Sequence, residues 1–505
     1  MFLWALLGYF LLFAAWAVAS PYDGTPDEQA HIANAYGVAS GQVLGELAQE
    51  GQYPGVYRNI PKSLIRDNCF AFHPEAPASC AVPPGGDETE QRKLVHVARY
   101  SPAYYLAVGM PIRISPDMTG VLFARLISAA IVAALIAWAT SVALTLRRRA
   151  VVGGILVAVT PVVAVQAGAI NPSGTEIAAG LGLVVGLMAI FFEPDGAGAR
   201  RSAWWLAGVA GAAMLALRPA GPAWFGVVAL VMLLPMTSHL RQVLLRSRRF
   251  WTLFATLSVV GLTAVSWTLW RHATDLIPGT TSNLGPVKTL QVEIFDRWHQ
   301  IVPELIGRLG WLDTPLPVFV YIAWWMAIGT LVALALALGR PADRWRVAGL
   351  GALGMLAPSL AEAIQISKSG FINQGRYFLP MLIGVPILAA YVVANRGFAA
   401  PLNRLTRLFA VVLLPLHVLV LAWGMIRFQN GMPSPLYPPS LNPLTGSWHP
   451  QLGSVTPLLL GVLSAVVLVT FYRRITIDIP ESVAEAAPGE AQPVSGVAEP
   501  ERVTV

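Results

Sequence analysis

A carboxylate pair and an imidazole lie close together near the start of the chain, as Asp27, Glu28 and His31. If this segment is helical, Asp27 and His31 share one face, because residues i and i+4 are neighbours on a helix. A carboxylate in this position could take a proton from a hydroxyl nucleophile, which is general base chemistry. His31 could orient Asp27, bind a phosphate or be a structural histidine. We therefore expect the catalytic group to be Asp27, assisted by Glu28 and His31.

The local spacing predicts the helix itself. Thr25 and Glu28 match the capping-box pattern, and Pro26 falls at the first helical position. The helix should run to about Ser40 and stop at Gly41. The capping box alone would explain Glu28, so a structural role for this residue stands beside a catalytic or metal-binding one.

The composition indicates a polytopic helical membrane protein. Of 505 residues, 55% are hydrophobic and 12% are charged, whereas soluble domains carry roughly 25% charged residues. Arginines that cluster on one side of the apolar segments account for the net charge of +7, so we expect no nucleic acid partner. The apolar blocks predict an all-α fold with about twelve spans: 2–19, 121–146, 151–170, 177–192, 203–217, 222–236, 251–270, 318–338, 347–366, 377–394, 409–426 and 455–471.

The arginine distribution also predicts the orientation. Arginine-rich loops belong inside, which puts both termini in the cytoplasm. The outer loops are then 20–116, 271–314, 367–376 and 427–454, and they should form a partly helical outer domain. Residues 476–505 are rich in Pro, Ala, Glu and Gly, which is typical of a disordered cytoplasmic tail.

The only two cysteines, Cys69 and Cys80, fall in the first outer loop. An extracytoplasmic location favours a disulfide between them, with two free thiols as the alternative. His73 and His96 lie in the same loop without a zinc-ligand spacing, and we expect both to be solvated.

Four short motifs, all on the predicted outer face, together resemble the GT-C superfamily of membrane glycosyltransferases, through a large and mostly uncharacterised bacterial membrane family close to it. They are Pro26-Asp27-Glu28-x-x-His31, Gly41-Gln42, Pro102-Ala103-Tyr104-Tyr105 and Gln374-Gly375-Arg376-Tyr377-Phe378-Leu379-Pro380. The resemblance covers about residues 1–475. Asn171-Pro172-Ser173 also looks like the outer turn of that family, although Asp is more usual where Ser173 stands.

The resemblance implies a GT-C-like fold over residues 1–475 in a bacterial cell membrane, with an extracytoplasmic active site. It further implies transfer of a sugar from a polyprenyl-phosphate donor to an envelope glycan, lipid or protein, with Asp27 as the base. Three basic residues on the outer side could bind the donor phosphate, namely Arg376, Arg218 and Lys368. For Arg376 and Arg218 the alternative is an arginine that snorkels to the interface. The remaining expected binding residues are Gln374, Tyr377, Tyr104, Asn171 and Glu176.

No cofactor is expected to be essential, although a divalent cation could bind near Asp27. Adjacent helical residues point about 100° apart, so Asp27 and Glu28 could not easily share one ion. A transporter or flippase of a lipid-linked saccharide is the alternative function, and a non-catalytic membrane scaffold is a third. No internal repeat is visible in the sequence, which counts against a transporter.

Overall fold

The chain folds into a bundle of helices with a small outer sheet. The computed structural model describes residues 1–49, 53–193, 196, 200–275, 282–432 and 441–477. Within them the helices are α1 (Phe2–Ala19), α2 (Glu28–Ala39), α3 (Ala103–Ile114), α4 (Met118–Ala143), α5 (Val152–Ala158), α6 (Pro161–Ala167), α7 (Pro172–Phe192), α8 (Arg201–Ala216), α9 (Gly221–Leu233), α10 (Ser238–Arg246), α11 (Arg248–Trp270), α12 (Pro286–Val292), α13 (Trp298–Glu304), α14 (Val318–Leu338), α15 (Pro341–Ser369), α16 (Gly375–Leu382), α17 (Gly384–Val393), α18 (Ala399–Asn430) and α19 (Val455–Ile475).

The helices confirm an all-α polytopic membrane protein. In the described part of the chain eight helical segments are long and apolar enough to cross a membrane, or nine with a bent pair. All twelve predicted spans are helical, but not every one of them qualifies as a separate membrane span. Helices α8 and α9, with 16 and 13 residues, are too short to qualify alone, and Gly375–Asn430 counts as one segment although Gly397 breaks it with a φ of 91°.

The bent pair, Arg149–Ala158 and Pro161–Ala167, turns by 75°. The break frees backbone groups inside the bundle, and other elements bind them. His417 Nε2 donates to the Val159 carbonyl at 3.1 Å, and the Val162 N–H donates to the Ile306 carbonyl at 2.9 Å. A broken helix is tolerated at membrane depth only where its backbone groups are satisfied in this way.

The predicted outer loop 20–116 contains a sheet that the sequence pattern does not predict. Strands β1 (Glu46–Leu47), β2 (Val56–Pro61) and β3 (Glu90–Val95) pair antiparallel in that order. Val56 faces Val95 across the β2–β3 pair, and alternate residues of β2 are buried. Strands β4 (Arg308–Leu309) and β5 (Thr314–Pro315) form a separate short hairpin.

The predicted disulfide is confirmed. Cys69 and Cys80 are bonded, with their Cα atoms 6.1 Å apart. Parts of the predicted outer loops (50–52, 276–281 and 433–440) lie outside the described residues, as does the predicted disordered tail from residue 478 onward.

Arg427, near the end of α18, ties this disulfide loop to the bundle. Its guanidinium is fully buried and donates to the carbonyls of Phe70, His73 and Ala76 at 2.9, 3.0 and 2.7 Å. It also pairs with the buried Asp313 carboxylate at 3.2 Å. One side chain therefore satisfies several buried acceptors from two separate segments.

We predict that Arg427→Ala destabilises the protein by about 3–5 kcal/mol, because the change leaves Asp313 as a buried charge without its counter-ion. Unfolding of the purified protein in detergent measures this. Arg404→Ala, on an exposed position of the same helix, is the control and should change stability by less than about 0.5 kcal/mol. Equal losses from the two variants would contradict the anchoring role.

Candidate functional site

Helix α2 begins two residues later than predicted, and Asp27 instead of Thr25 is its N-cap residue. The helix starts at Glu28, and its N-cap Asp27 has a left-handed φ of 69° and makes no side-chain cap. The expected capping box is wrong: the Thr25 hydroxyl is buried without a hydrogen-bond partner among the described residues. Asp23 Oδ1 instead accepts from the Gln29 N–H at 2.9 Å. A left-handed aspartate is uncommon and strained, which makes Asp27 a candidate for function.

The Asp27 carboxylate pairs with an arginine from the far end of the chain. Arg376 Nη2 lies 2.6 Å from Asp27 Oδ2, and 33% of the Asp27 side chain is exposed. Arg376 Nη1 also donates to the Pro26 carbonyl at 3.1 Å. Burial alone would raise the pKa of the Asp27 carboxyl, but the charges of Arg376, His96 and His31 outweigh it and lower that pKa below its ordinary value. Asp27 is therefore ionised at neutral pH.

Two histidines flank this carboxylate. His31 Nδ1 lies 2.8 Å from the Tyr105 hydroxyl, and burial holds the pKa of His31 well below its ordinary value. His96 Nε2 lies 3.9 Å from Asp27 Oδ1, and burial also lowers the pKa of His96. The expectation that His96 is solvated is wrong, since the turn after β3 brings it against Asp27.

Glu28 points away from Asp27 into the bundle. Its oxygens accept from Arg125 Nε at 2.8 Å and Arg125 Nη2 at 2.6 Å, and from the Ile170 N–H at 3.0 Å. Both side chains of this pair are fully buried, so Arg125 is a structural residue of the bundle. The arrangement favours the structural alternative for Glu28, and it separates Glu28 from any ion bound at Asp27.

A second arginine extends the site. Arg218, in the turn between α8 and α9, donates to Ser173 Oγ at 2.8 Å and lies 3.7 Å from Glu176 Oε2. The Tyr377 ring lies beneath both guanidiniums, 4.7 Å from Arg218 and 5.3 Å from Arg376. The side chains thus form a continuous row from Asp27 through Arg376, Tyr377 and Arg218 to Glu176.

Arg376 differs from the structural arginines Arg125 and Arg427 in how many of its donors are used. Arg125 and Arg427 donate from Nε and from both Nη atoms. Arg376 Nε, by contrast, is buried with no acceptor in the described part of the chain. Glu176 is similar, because neither carboxylate oxygen meets a donor from the described residues. Unsatisfied buried polar atoms are rare, and a ligand or an ordered water would satisfy them.

An apolar groove adjoins Arg218. A cavity of about 320 Å³ is bounded by Arg218 and Tyr100 and by apolar side chains that include Leu215, Val259 and Trp267. The last two belong to α11, a candidate membrane span whose surface is almost wholly exposed. The cationic end of the row can therefore be reached along an apolar surface.

The remaining predicted site residues divide into three cases. Gln374 adjoins Arg376, and its Oε1 is buried without a described partner. Tyr104 donates to Ser128 Oγ at 3.1 Å, and Asn171 caps α7 by accepting from the Ser173 N–H at 3.0 Å, so both are engaged in packing. Lys368 is exposed and forms no ion pair with any described residue.

A metal site of three or more His, Cys, Asp or Glu side chains is absent from the residues that the structure describes. A single divalent cation held at Asp27 stays a prediction.

Comparison with known proteins places the chain in a family. No curated protein is significantly similar to it. The crystal structure of ArnT from Cupriavidus metallidurans bound to undecaprenyl phosphate is similar to it, with a TM-score of 0.43 and 14% sequence identity, over 95% of this chain and 78% of that chain. The structure of the same protein in the apo state is similar too, with a TM-score of 0.41 and 14% sequence identity, over 93% of this chain and 76% of that chain. The family model described as "Predicted membrane protein (DUF2142)" matches residues 10–385, which is most of the chain, and the protein therefore belongs to this family of membrane proteins.

Proposed function

We propose that this protein is a membrane glycosyltransferase with a GT-C-like architecture, which moves a sugar from a polyprenyl-phosphate donor to a hydroxyl of an envelope acceptor on the extracytoplasmic face. One observation carries the proposal: an ionised carboxylate, Asp27, lies 2.6 Å from Arg376, in a row whose second arginine borders an apolar groove. These are the groups that transfer from a lipid phosphate requires, namely a base, cations for the leaving group and a surface for the chain.

In the proposed reaction the acceptor hydroxyl attacks the anomeric carbon of the donor sugar. The bond between that carbon and the phosphate oxygen breaks, and the phosphate leaves with its electron pair. Asp27 accepts the hydroxyl proton as the new glycosidic bond forms. Arg376 and Arg218 stabilise the charge that develops on the leaving phosphate, since preorganised cations act strongly in a site with little water.

The resting ion pair gives Asp27 a role that changes as the donor binds. Arg376 is the largest of the charges that lower the pKa of Asp27. A phosphate that takes hydrogen bonds from Arg376 would draw this charge away from the carboxylate. The basicity of Asp27 would then rise when the donor is in place, which is when a proton must be accepted.

The groove beside Arg218 would hold the first isoprene units of the donor. Its side chains Leu215, Val259 and Trp267 are apolar or aromatic, and Arg218 would contact the phosphate that ends the chain. In this proposal Arg376 and Arg218 bind the phosphate from two sides of the Tyr377 ring.

A transporter of a lipid-linked saccharide is the second candidate, and the broken helix α5–α6 favours it. Discontinuous helices often form the binding site of a transporter. His417 at this break also has a buried Nδ1 without a partner among the described residues. The two functions differ in whether Asp27 is needed.

We predict that Asp27→Asn lowers sugar transfer at least about a hundredfold, because the amide cannot accept the hydroxyl proton. The glycan that disappears when the gene is deleted provides the assay, and complementation with each variant is followed by mass spectrometry of that glycan. Asp87→Asn, an exposed acid of the same outer region, should transfer at the wild-type rate. Full transfer by a folded Asp27→Asn variant would overturn the proposal. Translocation of the lipid that stops when the gene is deleted but persists in Asp27→Asn would favour the transporter.

The low pKa of Asp27 predicts a pH profile. Because this carboxyl stays ionised below its ordinary pKa of 3.8, wild-type transfer should not fall between pH 8 and pH 5 through protonation of Asp27. In Arg376→Gln the largest lowering charge is removed while burial remains, so the pKa of Asp27 rises. The acid limb of kcat/KM should move upward by about one pH unit or more. An unchanged acid limb in the variant would show that Asp27 is not the titrating base.

A further inference from the structure

The loop that leads to Arg376 is bound by buried carboxylates. Residues 370–374 connect α15 to α16, and the backbone N–H groups of Ile372 and Asn373 both donate to Glu362 Oε1, at 2.5 and 2.6 Å. Glu362 belongs to α15 and its side chain is almost fully buried. One carboxylate oxygen therefore satisfies two consecutive loop donors that no strand or helix pairs.

The backbone N–H of Gly375, two residues after Asn373, is also bound by a carboxylate. The Gly375 N–H donates to Glu304 Oε2, at the end of α13, at 2.7 Å. A Cβ atom at Gly375 would lie 2.5 Å from the Cβ of Glu304, so the start of α16 lies directly against α13. Arg376 is the following residue, and it reaches Asp27 from this fixed start.

An arginine and a second glutamate hold Glu362 in turn. Arg297 Nη1 lies 3.1 Å from Glu362 Oε2 and 3.3 Å from Glu293 Oε2. Glu293 Oε1 accepts from the Asn373 side chain at 2.8 Å, and Arg297 lies over the Phe371 ring at 4.6 Å. We call Glu293, Arg297 and Glu362 the loop clamp.

Stability alone is a weak reason for such a clamp. Burying carboxylates is costly, and apolar residues in place of a buried ion network are often as stable or more so. What the network provides is one defined loop conformation. A placement error of about 1 Å at a reacting group can lower a rate a hundredfold, and the loop determines where Arg376 lies.

We propose that Glu362 is a positioning residue, which acts through the loop 370–374 to hold Arg376 in reach of Asp27 and of a donor phosphate. This inference rests on the proposed function, because it assigns the clamp a role in phosphate binding. The clamp itself touches no reacting atom.

A double-mutant cycle tests the inference. The probe is undecaprenyl phosphate, and its binding to the purified full-length protein in detergent is measured for wild type, Glu362→Ala, Arg376→Ala and the double variant. Each single change should weaken binding about tenfold. The double variant should bind no more weakly than Arg376→Ala, because Glu362 acts only through that arginine. Losses that multiply to about a hundredfold would overturn the inference, since independent sites are additive.

Two further variants separate positioning from general damage. Glu362→Gln keeps a side-chain oxygen for the two N–H groups and should bind within about threefold of wild type, and a loss equal to that of Glu362→Ala would contradict the role of these hydrogen bonds. Asp343→Ala, an acid at the opposite end of α15, should leave binding unchanged. If wild type fails to bind the probe, the proposed phosphate site fails as well, which is a different result from an additive cycle.

Discussion

The ion pair between Asp27 and Arg376 is the interaction on which the candidate site depends. It joins the start of α2 to the start of α16 over 349 positions of sequence. Burial lowers the pKa of both neighbouring histidines, so at neutral pH the guanidinium is the main counter-charge of the carboxylate. Without its partner, either group would be a poorly compensated charge in a largely buried place. The left-handed backbone of Asp27 and the clamped loop before Arg376 both serve to bring these two side chains together.

Arg376 differs in its hydrogen bonds from two arginines that hold the bundle together. Arg125 and Arg427 use all three nitrogens on internal acceptors, and each joins segments distant in sequence. Such saturated, buried arginines specify one packing arrangement. Arg376 keeps a buried nitrogen without a partner from the described residues, and Arg218 borders the groove. Because Arg58, Arg271, Arg308 and Arg346 also have one such nitrogen, it is the position of Arg376 beside Asp27 and of Arg218 beside the groove that marks these two as the candidate phosphate ligands.

Much of the fold follows from local pattern. Each of the twelve apolar blocks that length and hydropathy identify is helical, because an apolar block can satisfy its backbone in a bilayer only as a helix. Eight helical segments, or nine with the bent pair, qualify as spans among the described residues. The disulfide between Cys69 and Cys80 also follows from the sequence, because these are the two cysteines of the chain and they lie in one loop. The outer sheet is different: β2 and β3 are separated by a long irregular segment, and their pairing depends on contacts such as Val56 with Val95. The number of spans is also not fixed by local pattern at α8 and α9, because these helices have only 16 and 13 residues and are too short to qualify as spans alone.

For the site, the sequence by itself determined the candidate groups. They are the Asp27 carboxylate at the start of α2, Arg376 at the start of α16 and Arg218 in the turn before α9. It could not assign their partners. Only the tertiary structure decided that Arg376 pairs with Asp27 while Arg125 pairs with Glu28. It also decided that His96 lies against the Asp27 carboxylate and that the Tyr377 ring contacts both Arg376 and Arg218. The physical reason is that helical periodicity dictates which face a side chain occupies, whereas the partner across that face depends on how helices hundreds of residues apart pack.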